Sequence, residues 1–478
     1  MKAPFSDYLT ERAPALKELV GLLRQSFEYV SVLATDSVGI SVRMSQASKS
    51  VSGSNMTTER GVVVRVCREG RYSEYAMNDW DAQDIPALAE RITRVLEQQF
   101  ALLTAVGSDT YTTGLLPDEP CTLFVEKNAE ILPEKADPDA LVKEMMSLSD
   151  RGMETIPGAL DCIARGISTH ISKLFLTEHR DLRQSYVYTE GTLISYAPTE
   201  SGDTRVVYEG VSGCGGLEIL KGLEEKLAGM PQTMKEVVSA GKVVPGEYEI
   251  IADPGIAGLI AHEAFGHGVE MDMFVKNRAL GSQYIGQRVG SDLVTMHEGA
   301  LCDESVTAYA FDDEGTLAGD VTEIDHGILK TGICDALSAL RLGTAPTGNG
   351  KRENYAHKVY TRMTNTVFDS GTDTLEDMIA SVKHGYLLKG TESGMEDPKH
   401  WGIQCIISRG YEIKDGKLTG KVVAPVVMTG YVPDLLGGIC MASTDREVEG
   451  TGACGKGYKE WVKVADGGPY LKSRARLG

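Results

Sequence analysis

The segment Asp253-Pro254-Gly255-Ile256-Ala257-Gly258-Leu259-Ile260-Ala261-His262-Glu263-Ala264-Phe265-Gly266-His267 sets two imidazoles and a carboxylate within six residues at the end of an apolar stretch. Asp253 suits the N-cap of a helix and Pro254 its first position, while Ile256, Leu259 and Ile260 form the buried stripe. Gly255, Gly258, Ala261 and Ala264 are small, so the pattern predicts a helix that another backbone approaches closely. Two imidazoles hold Zn²⁺ readily, and a glutamate next to one of them is placed to take a proton from a zinc-bound water.

The spacing differs from the familiar His-Glu-x-x-His helix, whose histidines at i and i+4 lie about 40° apart and face one metal. Here they stand at i and i+5, roughly 140° apart in an ideal α-helix. Both can face one ion only if the chain widens to a π-type turn near Gly266, or if the helix stops there and His267 swings back.

A catalytic zinc site needs a third protein ligand and an open position. Cys454 lies in the glycine-rich stretch Gly450-Thr-Gly-Ala-Cys454-Gly-Lys456-Gly457, where a thiolate can approach a metal without steric conflict. Glu270, Asp272 and His297 are the competing donors. The same stretch resembles a phosphate-binding loop only superficially. Gly457 replaces the Ser or Thr that would meet Mg²⁺, residues 445–449 do not read as a buried strand, and residues 458–464 read as a strand rather than a helix.

Six landmarks occur in order along the second half. They are His262-Glu-Ala-Phe-Gly-His267-Gly-Val-Glu270, Gly286-Gln-Arg-Val289, Asp312-Asp-Glu-Gly315, Thr347-Gly-Asn-Gly350, Arg362-Met-Thr-Asn365 and Cys454-Gly-Lys456. In this the chain resembles the TldD/PmbA family, specifically its metal-bearing TldD-like branch. The first half adds Arg60-Gly-Val-Val-Val-Arg65-Val. The resemblance implies a zinc-dependent metallopeptidase, with one Zn²⁺ per chain on His262, His267 and Cys454 and with Glu263 as the base. It implies short or unfolded peptides as substrates, and a dimer, either of identical chains or with a metal-less PmbA-like paralogue. Two departures bear on substrate preference and pairing: the apolar run Trp401-Gly-Ile-Gln-Cys405-Ile-Ile, and Phe265 at a position that is usually small and aliphatic. Among residues that could meet an oxyanion, His326 and Arg362 are candidates. The rival reading is a non-catalytic peptide-binding or assembly subunit, whose structural metal would be closed by a fourth ligand such as Glu270 or Asp272.

Composition fits a globular chain, with 42% hydrophobic and 24% charged residues over 478 positions. The net charge of −20 opposes direct nucleic-acid binding. No signal-peptide layout or membrane-length apolar run is present in the sequence, and nine cysteines without close pairs do not form a disulfide framework. A cytoplasmic location, off the membrane, is expected.

Periodicity predicts α+β architecture. A mixed N-terminal domain (residues 1–240, with room for two subdomains broken near 110–120) is expected to combine antiparallel strands and helices. A β-rich C-terminal domain (241–478) carries the metal helix. Leu16, Leu19, Val20 and Leu23 mark a first helix and Leu88, Ile92, Val95 and Leu96 a second behind Asp84. Residues 38–45, 61–67 and 72–76 read as strands. Tyr186–Tyr188 and Thr192–Tyr196 read as two strands turning at Glu190-Gly191, residues 216–229 as a helix, and Asp415-Gly416 as a hairpin turn between mostly short strands.

Overall fold

A computed structural model describes residues 1–52, 59–105, 112–457 and 460–478. It is an α+β structure with two large sheets. The first has eight strands, all between Tyr29 and Cys214. Its central strands Tyr29–Met44, Asp161–Leu176 and Arg180–Pro198 are long and antiparallel, and Cys121–Glu126 joins the edge in parallel. Helices Asp7–Leu23 and Ile85–Ala105 bury their apolar stripes together on one face, where Leu16, Leu19, Leu23, Ile92 and Leu96 are completely enclosed. Helices Pro138–Thr155 and Leu223–Ser239 cover the same sheet nearer Val42 and Leu193.

The reading of a turn at Glu190-Gly191 is corrected, because one strand runs unbroken from Arg180 to Pro198. Gly191 faces Gly166 on one side and Val211 on the other. A β-carbon there would lie 2.7 Å from Leu220 and 2.9 Å from Leu223, so this glycine admits a covering helix rather than a reversal. That covering element also differs from the span 216–229: a 3₁₀ turn at Leu217–Gly222 leads into Leu223–Ser239, which continues through Pro231. Part of the proposed break at 110–120 lies outside the described residues.

The second sheet has eleven strands, all between Gly246 and Leu477. Most strands here are short, as the sequence predicts, but His384–Asp397, Gly402–Lys414 and Ala465–Leu477 are long. Gly246–Ala252 pairs in parallel with the first of these and antiparallel with the last. Through Val426–Tyr431 this closes a circuit of five strands around a shared core. The predicted hairpin turn is present, with Asp415 and Gly416 both left-handed at φ 47° and 74°. Closing the circuit presses the metal helix onto strand Ala465–Leu477, where a β-carbon on Gly258 would stand only 2.6 Å from the Gly467 nitrogen. The small residues of the helix thus serve the close backbone approach their size predicts.

Candidate metal centre

The helix begins as read, with the Asp253 side chain accepting from the Ile256 amide and Pro254 in the first turn. After Leu259 it widens into a π-helix over Ile260–Gly266, and the His267 amide donates to the His262 carbonyl. That i to i+5 bond brings the two histidines onto one side of the helix. Their ring centroids are 5.1 Å apart and the rings stand at 84° to each other. Gly266 makes room for Met363, because a β-carbon there would fall 2.1 Å from the Met363 sulfur.

Cys454 arrives on a two-stranded ribbon, Ala453–Lys456 paired with Glu460–Lys463. Its Sγ lies 3.3 Å from His267 Nε2, and one donor atom from each of His262, His267 and Cys454 falls within 4.8 Å of the others. Burial disfavours charge at all three residues. The two imidazoles nevertheless outweigh it at the thiol, lowering Cys454 to about 4. Against the same burial, Glu270 and the thiolate raise His267 well above its ordinary value. His262 Nδ1 is buried with no hydrogen-bond partner among the described residues.

Around these donors the chain builds a charged frame. Glu270 Oε2 accepts from His267 Nδ1 at 3.2 Å and from Lys456 Nζ at 3.0 Å. Lys456 also reaches Asp272 Oδ1 at 2.7 Å and the Thr361 carbonyl at 3.0 Å. Burial would raise the Glu270 carboxyl, but Lys456, His267 and Arg362 hold it well below the usual carboxylate range. Arg362, fully buried, donates to the Cys454 carbonyl at 2.6 Å and to the Glu460 carbonyl at 3.0 Å, so it holds the ribbon and is engaged there rather than at an oxyanion.

The other sequence candidates lie elsewhere. His297 is held by Asp320 at 2.7 Å and Asp369 at 3.5 Å, and His326 sits exposed at a turn against the Asp292 carbonyl. Neither joins the cluster. Asp272 is held by Lys456 and Lys276, and Glu270 by Lys456 through Oε2, while its Oε1 is buried without a hydrogen-bond partner among the described residues. Glu263 is half-buried, and its Cγ lies 2.6 Å from where a β-carbon on Gly394 would be. Two residues further on the same strand, and so on the same face, Glu396 keeps both carboxyl oxygens buried without a partner among the described residues. Burial, reinforced by Glu263 and offset in part by His267, raises it to about 9. The two departures noted in the sequence touch: Phe265 and Trp401 rings lie 5.5 Å apart, both completely buried.

Sequence reasoning missed the roles of Lys456, Arg362 and Glu396. Lys456 was findable, since i and i+2 on a strand share a face and place it beside the thiolate. Arg362 and Glu396 depend on contacts from distant segments and leave no local signal.

A π-widened helix presenting two histidines to a cysteine on a β-ribbon defines a protein with a two-histidine, one-cysteine centre. Residues 245–473 match the family described as the PmbA/TldA metallopeptidase C-terminal domain. A metalloprotease of Synechocystis sp. is 27% identical over 96% of both chains. A zinc metalloprotease TldD homolog of Saccharolobus solfataricus is 28% identical over 52% of this chain and 55% of its own length. The chain spans about half the length of several curated relatives it matches. In fold it is similar to TldE from Thermococcus kodakarensis, with a TM-score of 0.75 at 18% identity, covering 97% of this chain and all of that one. The chain belongs to the TldD/PmbA family.

Proposed function

We propose that this chain is a zinc-dependent peptidase of the metal-bearing TldD-like branch, hydrolysing short or unfolded peptides. The observation that carries the reading is the convergence of His262, His267 and Cys454 beside Glu263. The donor set fits zinc. Two imidazoles and a lowered thiol are soft to borderline ligands, His267 is oriented through Nδ1 by a carboxylate in the manner of metal-bound histidines, and His262 retains an orphaned ring nitrogen in a buried site. Zn²⁺ held there would supply Lewis acidity and make water acidic enough to lose a proton near neutral pH.

The rest is the work of side chains. Glu263 takes the proton of the attacking water and returns it to the leaving amine. Glu270 fixes the His267 ring, while Arg362 and Lys456 hold the ribbon and its thiolate in register. Strand His384–Asp397 pairs with Gly246–Ala252 only through residues 385–388, so on that side its continuation past Gly394 has no partner among the described residues. An extended peptide added to this edge would pass beside Glu263, with backbone hydrogen bonds giving affinity and little demand on sequence. The assembly is a dimer, with itself or with a metal-less paralogue, which native mass of the purified and co-expressed chains reads directly. The location is cytoplasmic; among the described residues no helix is long and apolar enough to cross a membrane, and all nine cysteines are free.

A structural-metal reading would need a fourth protein ligand, and Glu270 and Asp272 are already engaged with Lys456. Glu263→Ala tests the choice: peptide cleavage is abolished while zinc content stays at the parent level. Retained cleavage in that variant would remove Glu263 from the chemistry, and joint loss of zinc and cleavage would make its role structural.

A further inference from the structure

A cavity of about 410 Å³ lies between the open face of the first sheet and the ribbon that carries Cys454. From the sheet it is walled by residues such as Thr35, Thr169 and Tyr188, and from the ribbon by Ala453, Trp461 and Lys463. Its size is in the range of small-ligand sites.

Its charges are unevenly matched. Asp313 is paired with Lys173, and Asp312 accepts the backbone amides of Glu314, Thr316 and Gly350. Glu59 accepts the Tyr355 amide, and Glu353 lies 3.8 Å from His357. At the ribbon end, one carboxylate, Glu190, faces two cations: Lys463 in direct contact and Arg165 at 4.0 Å. A third cation, Lys351, is 8% exposed and makes no ion pair among the described residues, Glu298 and Asp313 acting on it only at longer range. Its ammonium donates to the carbonyls of Met363 at 3.0 Å and Lys463 at 2.6 Å, leaving one of three N–H groups over. Burial, then the guanidinium of Arg362 for Lys351 and of Arg165 for Lys463, lowers each ammonium to about 7. Counter-charge at this end is therefore short of what would keep both ammonium groups fully protonated. Strand register separates Arg165 from Glu59, while Lys351 lies between the ends, its neighbours Gly350 and Arg352 bonded through their amides to Asp312 and Asp313. Glu59 stands opposite Ser37 and Arg165 opposite Arg43, six residues and roughly 20 Å along the same strand.

We propose that the ribbon end of this cavity binds a carboxylate of the peptide substrate, through Lys463, Arg165 and Lys351. An anion placed there supplies the missing counter-charge and accepts the spare N–H, and charge-assisted hydrogen bonds of this kind are among the stronger polar contacts. The inference rests on the peptidase reading for its choice of ligand. The shared chemistry is a carboxylate, which a peptide offers at its C-terminus or on an acidic side chain.

Binding is measured by calorimetry on the full chain carrying Glu263→Gln, which removes turnover. Three probes are used: a short peptide with a free C-terminus, its C-terminal amide, and the amide with one internal Glu. The free acid is expected to bind about tenfold more tightly than the amide, the scale of one charge-assisted contact. That ratio should collapse toward one in Lys463→Met. Arg165→Met, at a less buried position, gives a second reading if Lys463→Met fails to fold. Tightening by the internal Glu equal to that of the free terminus would assign the carboxylate to a side chain. Equal binding of all three probes would overturn the proposal, as would a ratio that persists in both variants, which would trace the preference to the metal centre. Hydrolysis by the parent chain is scored separately, so failure of the peptidase reading leaves the binding result legible.

Discussion

Glu270→Gln separates the frame around the centre from the fold that contains it. The carboxylate is 2% exposed and meets three positive groups: His267 Nδ1 at 3.2 Å, Lys456 at 3.0 Å and Arg362 Nε at 3.8 Å. The amide keeps the shape and one acceptor oxygen but removes the charge, leaving Lys456 with Asp272 alone and Arg362 without its acid. Breaking one partner of a buried ion pair costs about 3–5 kcal/mol, and the retained acceptor puts the expected loss near the lower figure. At the metal, losing the carboxylate behind a ligating histidine weakens affinity about 10–100-fold. Asp272→Asn is the matched control, since Asp272 touches Lys456 at 2.7 Å and Lys276 at 3.1 Å but no histidine. It should lower stability while leaving zinc affinity near the parent value. Chelator competition reads zinc affinity and urea unfolding reads stability. The sign with pH follows from the lowered carboxyl. The Glu270 contribution is present above the ordinary glutamate pKa of about 4.3 and is lost as pH falls toward its lower folded value, so the parent loses stability below that pH and the variant lacks this component. Parent-like zinc affinity in Glu270→Gln, or an equal loss in Asp272→Asn, would refute the assignment of Glu270 to the metal.

Cys454→Ala should remove nearly all zinc from protein purified without added metal, as read by elemental mass spectrometry; undiminished zinc would mean that another side chain completes the donor set. Gly258→Ala should lower stability by about 1–2 kcal/mol in urea unfolding. Overpacking against the backbone of Gly467 and Asp466, at 2.6 and 2.8 Å from the new β-carbon, costs about 1–3 kcal/mol, and the better helix propensity of alanine returns up to about 1. A stabilised Gly258→Ala would show that helix and strand are free to separate.

The centre was legible where a local pattern has few physical solutions. Histidines at i and i+5 beside a glycine cannot share an ion on an α-helix, so the spacing called for a π turn or a helix end near Gly266, and the π turn is observed at Ile260–Gly266. Asp253, Pro254 and the small residues of the helix were legible for the same reason. What escaped was set by packing between distant segments. Glu190-Gly191 has the composition of a turn, but Gly191 sits under Leu220 and Leu223 from a helix that a local reading cannot see. The three long strands of the second half were not singled out because glycines and charges interrupt their alternation, as in His384–Asp397, where only residues 385–388 are fully covered. Closure of the five-strand circuit brings residue 250 against residue 473, a contact with no trace in either segment.

The landmarks that mark the chain as a family member are for the most part struts rather than reagents. Arg65, from the first-half motif, pairs with Glu314 of Asp312-Asp-Glu-Gly315, whose Asp312 accepts the amide of Gly350 at 2.8 Å. In Thr347-Gly-Asn-Gly350, Asn349 donates to Glu298 at 3.0 Å and to the Arg362 carbonyl at 3.1 Å. Arg362 then grips the Cys454 carbonyl, Met363 fills the space that only Gly266 can leave, and the Thr364 amide returns to Glu298. A path of buried polar contacts therefore runs from the first sheet to the cysteine half of the donor set, and Met363 extends it by packing to the histidine half. A buried network of this kind is costly when any member is left unsatisfied, so its residues are constrained together. Each of these short motifs looks uninformative by itself because its partner lies in another motif. Their joint presence in one order says that the frame can hold a cysteine on a ribbon against two histidines on a π-widened helix, whatever peptide is presented to it.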